Sequence, residues 1–180
     1  MPRQRRRTAV IAMLSLAVAI GMGTVATASS SVMNMTTHLS TAEEVPTPVF
    51  DSIDRNPQGE AVIRLSQEGE LTYRLNVANI ENVLMAHIHI APPGSAGPIV
   101  VWLYPNDPPL APRLISGFSN GPLTTGTITD ADLTGPLAGG TVEDLLAQVR
   151  AGNAYVNVHT DQNRPGEIRG QIQHHEPAGD

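Results

Sequence analysis

The sequence has no cysteine and no lysine, and aromatic side chains fill only 3% of its 180 positions. Without cysteine the chain has no disulfides and no site for the lipid anchor of a bacterial lipoprotein. Several catalytic patterns are missing too. There is no Gly-x-Ser-x-Gly elbow, and no serine is marked out beside a histidine and an acid. The acidic residues are scattered, with no pair set between two motifs as in a glycosidase. No glycine loop that would cradle a phosphate precedes a helix. Hydrolytic and nucleotide chemistry therefore find little support.

The first 28 residues differ from the rest. Arg3, Arg5, Arg6 and Arg7 precede an apolar run, and small residues lead to Ala26-Thr27-Ala28. A basic start, an apolar stretch and an A-x-A site predict a secretory signal peptide over residues 1–28. The alternative is a retained anchor, since residues 8–28 are long enough to span a bilayer. Four of the 11 arginines and none of the 17 acidic residues lie in this segment. The remainder then carries 7 basic against 17 acidic side chains, a net charge of −10. So acidic a chain argues against nucleic acid and anionic membranes as partners. The expectation is a secreted, periplasmic or cell-surface protein without stable membrane insertion after cleavage. About 150 residues suffice for a core without covalent staples.

Residues 29–35 read as a linker, within which Asn34-Met35-Thr36 matches the N-glycosylation pattern. Beyond it, short strands alternate with Pro, Gly, Asn and Asp turns. A first strand is expected over 37–45, then a loop over 49–57. Period-2 alternation over 60–66 and 71–77, joined by Gln67-Glu68-Gly69, predicts a hairpin. Further strands are expected over 84–90, 99–104, 123–129, 154–160 and 167–173. The four prolines of 105–112 dictate irregular chain. A helix is expected over 141–151, where Thr141 and Asp144 resemble a capping box and Leu145, Leu146 and Val149 form an apolar face. About eight short strands and one short helix make the fold class all-β, an antiparallel sandwich.

Three segments together resemble a CHRD domain, the module named for chordin. They are Leu39-Ser40-Thr41-Ala42-Glu43-Glu44-Val45-Pro46, then Ala86-His87-Ile88-His89 with Gly94 and Gly97-Pro98, then Tyr155-Val156-Asn157-Val158-His159-Thr160 with Pro165-Gly166-Glu167-Ile168-Arg169-Gly170. One departure is Ile90-Ala91-Pro92-Pro93, which delays the glycine that family members often have soon after the second histidine. The resemblance places a CHRD domain over 36–173 and a tail over 174–180. It implies an immunoglobulin-like or superoxide-dismutase-like sandwich and little chemistry. The growth-factor binding of chordin itself is not carried over.

The sharpest chemical feature is His87 with His89. Residues i and i+2 of a strand share a face, about 7 Å apart along the backbone. Ala86, Ile88 and Ile90 would take the core side, leaving the histidines outward. Val156 and Val158 likewise leave Tyr155, Asn157 and His159 on the opposite face. If the two strands are neighbours, His87, His89 and His159 converge on one copper or zinc ion. The simpler reading has His87 and His89 solvated or anchoring the next loop, and His159 bonding the backbone of the turn at 161–164. Asn157, Glu167 and Arg169 are candidates for a supporting or structural role. Glu167 would orient an imidazole or form an ion pair with Arg169 that holds the hairpin, joined by Asp161. Trp102 is expected in the core, with a ligand platform as the alternative.

Three functions are thus compatible with the sequence: a non-enzymatic binding module, with or without a metal; a copper-dependent oxidoreductase similar to superoxide dismutase; and a structural matrix domain. A protein or glycan partner is compatible with the first and third. The dismutase reading lacks a disulfide and a clear fourth histidine. His38 has no supporting motif, and His174-His175 lies in the expected tail.

Overall fold

The computed structural model describes residues 32–48 and 55–175. The expected signal segment and most of the expected 49–57 loop lie outside them. Among the described residues no helix is long and apolar enough to cross a membrane. The described residues form eight strands: β1 (Met33–Ser40), β2 (Gln58–Leu65), β3 (Leu71–Ile90), β4 (Ile99–Tyr104), β5 (Ile115–Ile128), β6 (Ala154–Thr160), β7 (Ile168–Gln171) and β8 (Gln173–His175). A short helix α1 (Val142–Arg150) precedes β6.

The all-β class, the strand number and the short helix agree with the sequence pattern, but the strands pair differently from a two-sheet sandwich. Their order is β2-β1-β7-β6-β3, and β3 pairs back to β2, so five antiparallel strands close a barrel. Closure depends on β3, which is one continuous strand where the pattern suggested two. Its first half pairs with β2 and its second half with β6. The changeover lies at Asn79 and Asn82, with φ of 56° and 54°. Asparagine tolerates the left-handed region better than most residues, so the strand bends there without ending. The Asn82 side chain accepts the N–H of Gly117, and its carbonyl accepts that of Asp161, tying the bend to β5 and to the turn after β6. On the other edge of β3, β5 follows the first half and β4 the second.

The hairpin expected from alternation is present as β2 and β3. Ala61, Ile63 and Leu65 on one strand and Leu71, Tyr73, Leu75 and Val77 on the other are buried. Val156, Val158 and Ile168 continue that core across β6 and β7. Helix α1 closes it with Leu145, Leu146 and Val149. Full burial of side chains of this kind contributes about 1.5–3 kcal/mol each. The helix starts where Thr141 and Asp144 predicted: the Asp144 carboxylate accepts the Thr141 N–H at 2.8 Å. Gly170 permits a close approach of β7 to β1, since a Cβ there would overlap the His38 carbonyl and the Thr37 hydroxyl.

Three boundaries move. The first strand begins at Met33 and ends at Ser40, where a 3-10 turn over Thr41–Glu43 takes over. Residues 33–35, expected in a linker, are therefore strand, with Met35 fully buried. Residues 173–175 pair with β1 as β8, so the expected tail begins in strand. Strand β5 starts at Ile115, eight residues before the expected 123.

Candidate metal centre

Strands β3 and β6 place the histidines together through register. His87 lies opposite Asn157, His89 opposite Tyr155, and Met85 opposite His159. Alternation sends Ala86, Ile88, Val156 and Val158 into the barrel and the polar set to the other face, as expected. That face is not solvated, however. His87, His89 and His159 are 0%, 7% and 5% exposed, so the outward-facing cluster expected from sequence is a buried one. Alternation identifies two faces but not what covers the second. Here the covers are the 91–98 loop, the 161–166 turn and Trp102 of β4.

Each cover is fastened by bonds to the site. His89 donates its Nδ1–H to the Gly97 carbonyl at 2.9 Å, and Gly97 donates its N–H to the Tyr155 hydroxyl at 3.0 Å. His159 donates its Nδ1–H to the Arg164 carbonyl at 2.8 Å. Trp102 meets His87 edge to face, ring centroids 4.3 Å apart. It is half-buried beside the histidines and outside the core cluster expected for it. Gly97 has no alternative, because a Cβ would overlap the Ile90 carbonyl.

These bonds settle the tautomers. A carbonyl only accepts, so His89 and His159 carry their protons on Nδ1 and present bare Nε2 atoms. His159 Nε2 lies 3.0 Å from His87 Nδ1, and a proton on His87 Nδ1 joins the two. The Nε2 atoms of His87 and His89 are buried and have no hydrogen-bond partner among the described residues. One nitrogen from each of the three rings falls within 4.8 Å of the others. Nitrogens sharing a tetrahedral zinc at about 2.0–2.1 Å are about 3.3 Å apart, so a small inward ring movement suffices.

Electrostatics favour the neutral, metal-binding form. Burial pushes His87 down to about 2, with the neighbouring His159 and His89 adding to the shift. Burial pushes His159 down to about 4 against the opposing effect of the Arg164 carbonyl. His89 is also lowered by burial, against its bond to Gly97. Three neutral imidazoles without thiolate suit zinc or copper.

The supporting residues act differently from the sequence expectation. Glu167 bonds to no imidazole. Its Oε2 accepts from Thr160 at 2.5 Å, Gln162 at 3.1 Å and Asn163 at 3.1 Å, and Arg55 approaches Oε1 at 3.5 Å. It thus shapes the turn that offers the Arg164 carbonyl to His159. Arg169 pairs with neither Glu167 nor Asp161, and Asp161 pairs with Arg164. Instead Arg169 donates to the Ser95 and Pro92 carbonyls, at 2.8 and 3.4 Å, clamping the 91–98 loop. Its guanidinium lies 3.5 Å from the centroid of Tyr155, which stacks on His89 at 4.9 Å. Asn157 is 2% exposed and donates its amide to Glu44 Oε2 at 2.5 Å. His38 is exposed on β1 and lies outside the cluster.

Glu44 was not among the sequence candidates. It is 5% exposed, accepts the Val45 N–H at 3.0 Å, and is pushed up to about 7 by burial, against the Val45 N–H, the Arg169 charge and the Asn157 amide. Its only signal in the sequence was its place in the Glu44-Val45-Pro46 motif.

The CHRD domain family model matches residues 35–172, which takes in the residues just described around the cluster, from Glu44 to Arg169. No curated protein and no solved structure matches the chain. With the barrel, the histidine pair on β3 and the motif of β6 all inside the matched region, the chain belongs to the CHRD domain family.

Proposed function

We propose that this protein is an exported, non-enzymatic CHRD module that binds one zinc or copper ion through His87, His89 and His159. A single observation carries the proposal: three neutral, buried imidazoles converge, and the Nε2 atoms of His87 and His89 have no partner. A buried polar atom without a partner costs about 1–3 kcal/mol, and a bound cation removes that cost. The carbonyls of Gly97 and Arg164 supply the outer bonds that metal-binding histidines use to fix their rings. In this reading the ion cross-links β3, β6 and the two covering segments, and the module offers its acidic surface to a protein or glycan partner. Export rests on the basic, apolar and A-x-A pattern of residues 1–28.

Burial weighs against the copper oxidoreductase alternative. Turnover of an external substrate requires access to the ion, and the three rings are 0–7% exposed.

The test is titration of chelator-treated, untagged protein with Zn²⁺ and Cu²⁺, read by thermal unfolding. Ion at 100 times its Kd would stabilise the fold by about 2.7 kcal/mol. A His87→Gln, His89→Gln, His159→Gln variant should not respond. No response from the natural protein, or an equal response from the variant, removes the metal from the reading.

A further inference from the structure

We infer that the side-chain oxygen of Asn157 is the fourth ligand of this ion, making a closed three-nitrogen, one-oxygen site. The inference rests on the metal-binding reading above and deepens it.

Asn157 stands directly across from His87 in the β3–β6 register and two residues before His159 on the same face of β6. It is 2% exposed, and its Oδ1 is buried with no hydrogen-bond partner among the described residues. Of the buried polar side-chain atoms left without a partner, Asn157 Oδ1 and the Nε2 atoms of His87 and His89 thus belong to one patch of adjacent strands. The other amide atom is already committed. Nδ2 donates to Glu44, whose carboxylate also holds the Val45 N–H. With Glu44 Oε1 accepting from Val45 and Oε2 from Asn157, these bonds hold the amide nitrogen toward Glu44 and leave the oxygen free. Glu44 is therefore the positioning residue and Asn157 the ligand. Three imidazoles and one amide oxygen supply four donors without water, the arrangement of a structural zinc site.

The experiment uses Co²⁺ as a spectroscopic substitute and Zn²⁺ for affinity, on the untagged full chain. In Asn157→Leu, Zn²⁺ binding should weaken at least about 10-fold, the lower end of losses seen even for supporting residues. Azide should leave the visible Co²⁺ bands of the natural protein unchanged and shift those of Asn157→Leu, where a position has opened. A second variant covers the case in which Asn157→Leu does not fold. Asn157→Asp with Glu44→Gln reverses the donor and acceptor of their bond and gives the ion an anionic oxygen. It should bind Zn²⁺ more tightly than the natural protein and keep azide out. If Asn157→Leu matches the natural protein in affinity and bands, or the double variant gains no affinity, Asn157 is not a ligand and the three-histidine reading stands alone. If the natural protein binds neither ion, the metal-binding reading itself fails and the inference with it.

Discussion

Acid should destabilise the metal-free protein through its buried histidines, and exchanging two of them should reverse the sign of the effect. His87 and His159 sit at about 2 and about 4 in the fold, against an ordinary 6.5. A depressed histidine favours the unfolded chain as pH falls from 6.5 through its folded value, because the unfolded chain takes up the proton first. At pH 4.5 each of the two sites then costs about 2–3 kcal/mol relative to pH 7.5, about 5 kcal/mol together. Glu44 works in the opposite direction. Raised from 4.5 to about 7, it opposes folding at neutral pH, and acidification to pH 4.5 returns about 3 kcal/mol. The natural protein should therefore lose a net ~2 kcal/mol between pH 7.5 and 4.5, with lowered His89 adding to the loss. Urea unfolding with a chelator present measures this directly. In His87→Gln with His159→Gln the Glu44 gain is left largely unopposed, so stability should rise on acidification. A double variant that still loses stability like the natural protein would refute the assignment of acid sensitivity to these rings.

Glu44→Gln should steepen the acid loss of the metal-free protein to about 5 kcal/mol over the same interval, because only the histidine contributions remain; urea curves at both pH values check it. Arg169→Met should destabilise the fold by about 2–4 kcal/mol and raise amide exchange across 91–98, since the Ser95 and Pro92 carbonyls lose their donor. Leu146→Ala should cost about 2–5 kcal/mol by opening a cavity where α1 meets the barrel, as read from the urea midpoint. Gly170→Ala should cost about 1–3 kcal/mol by forcing β7 away from β1, and a melting temperature equal to that of the natural protein would contradict the close approach.

Much of this organisation is legible in local sequence. Period-2 alternation identifies β2, the start of β3, and the core side of β6, because side-chain direction in a strand is set within the strand itself. Helix α1 is legible from Thr141 and Asp144 for the same reason: its end is fixed by residues three apart. What escapes is set by distant chain. Residues 71–77 and 84–90 look like two strands because Asn79 and Asn82 resemble a turn, and only their bonds to β5 and to Asp161 show a bend within one strand. The histidine face looks solvated because its covers arrive from residues 91–98, 102 and 161–166. Glu44 is silent because it reaches Asn157 across 113 residues of chain. Glu167 illustrates the converse: an acid near a histidine motif suggests a bond to imidazole, whereas its partners are the turn residues beside it.

Elemental analysis of untagged protein taken from its native host is the most direct test of the central claim. Near one zinc or copper ion per chain, lost when His87 and His89 are exchanged for glutamine in protein that still folds, is the predicted result. Protein free of metal, whose unfolding is also indifferent to added Zn²⁺ and Cu²⁺, would contradict the claim and leave the three histidines as fasteners of the loops that cover them.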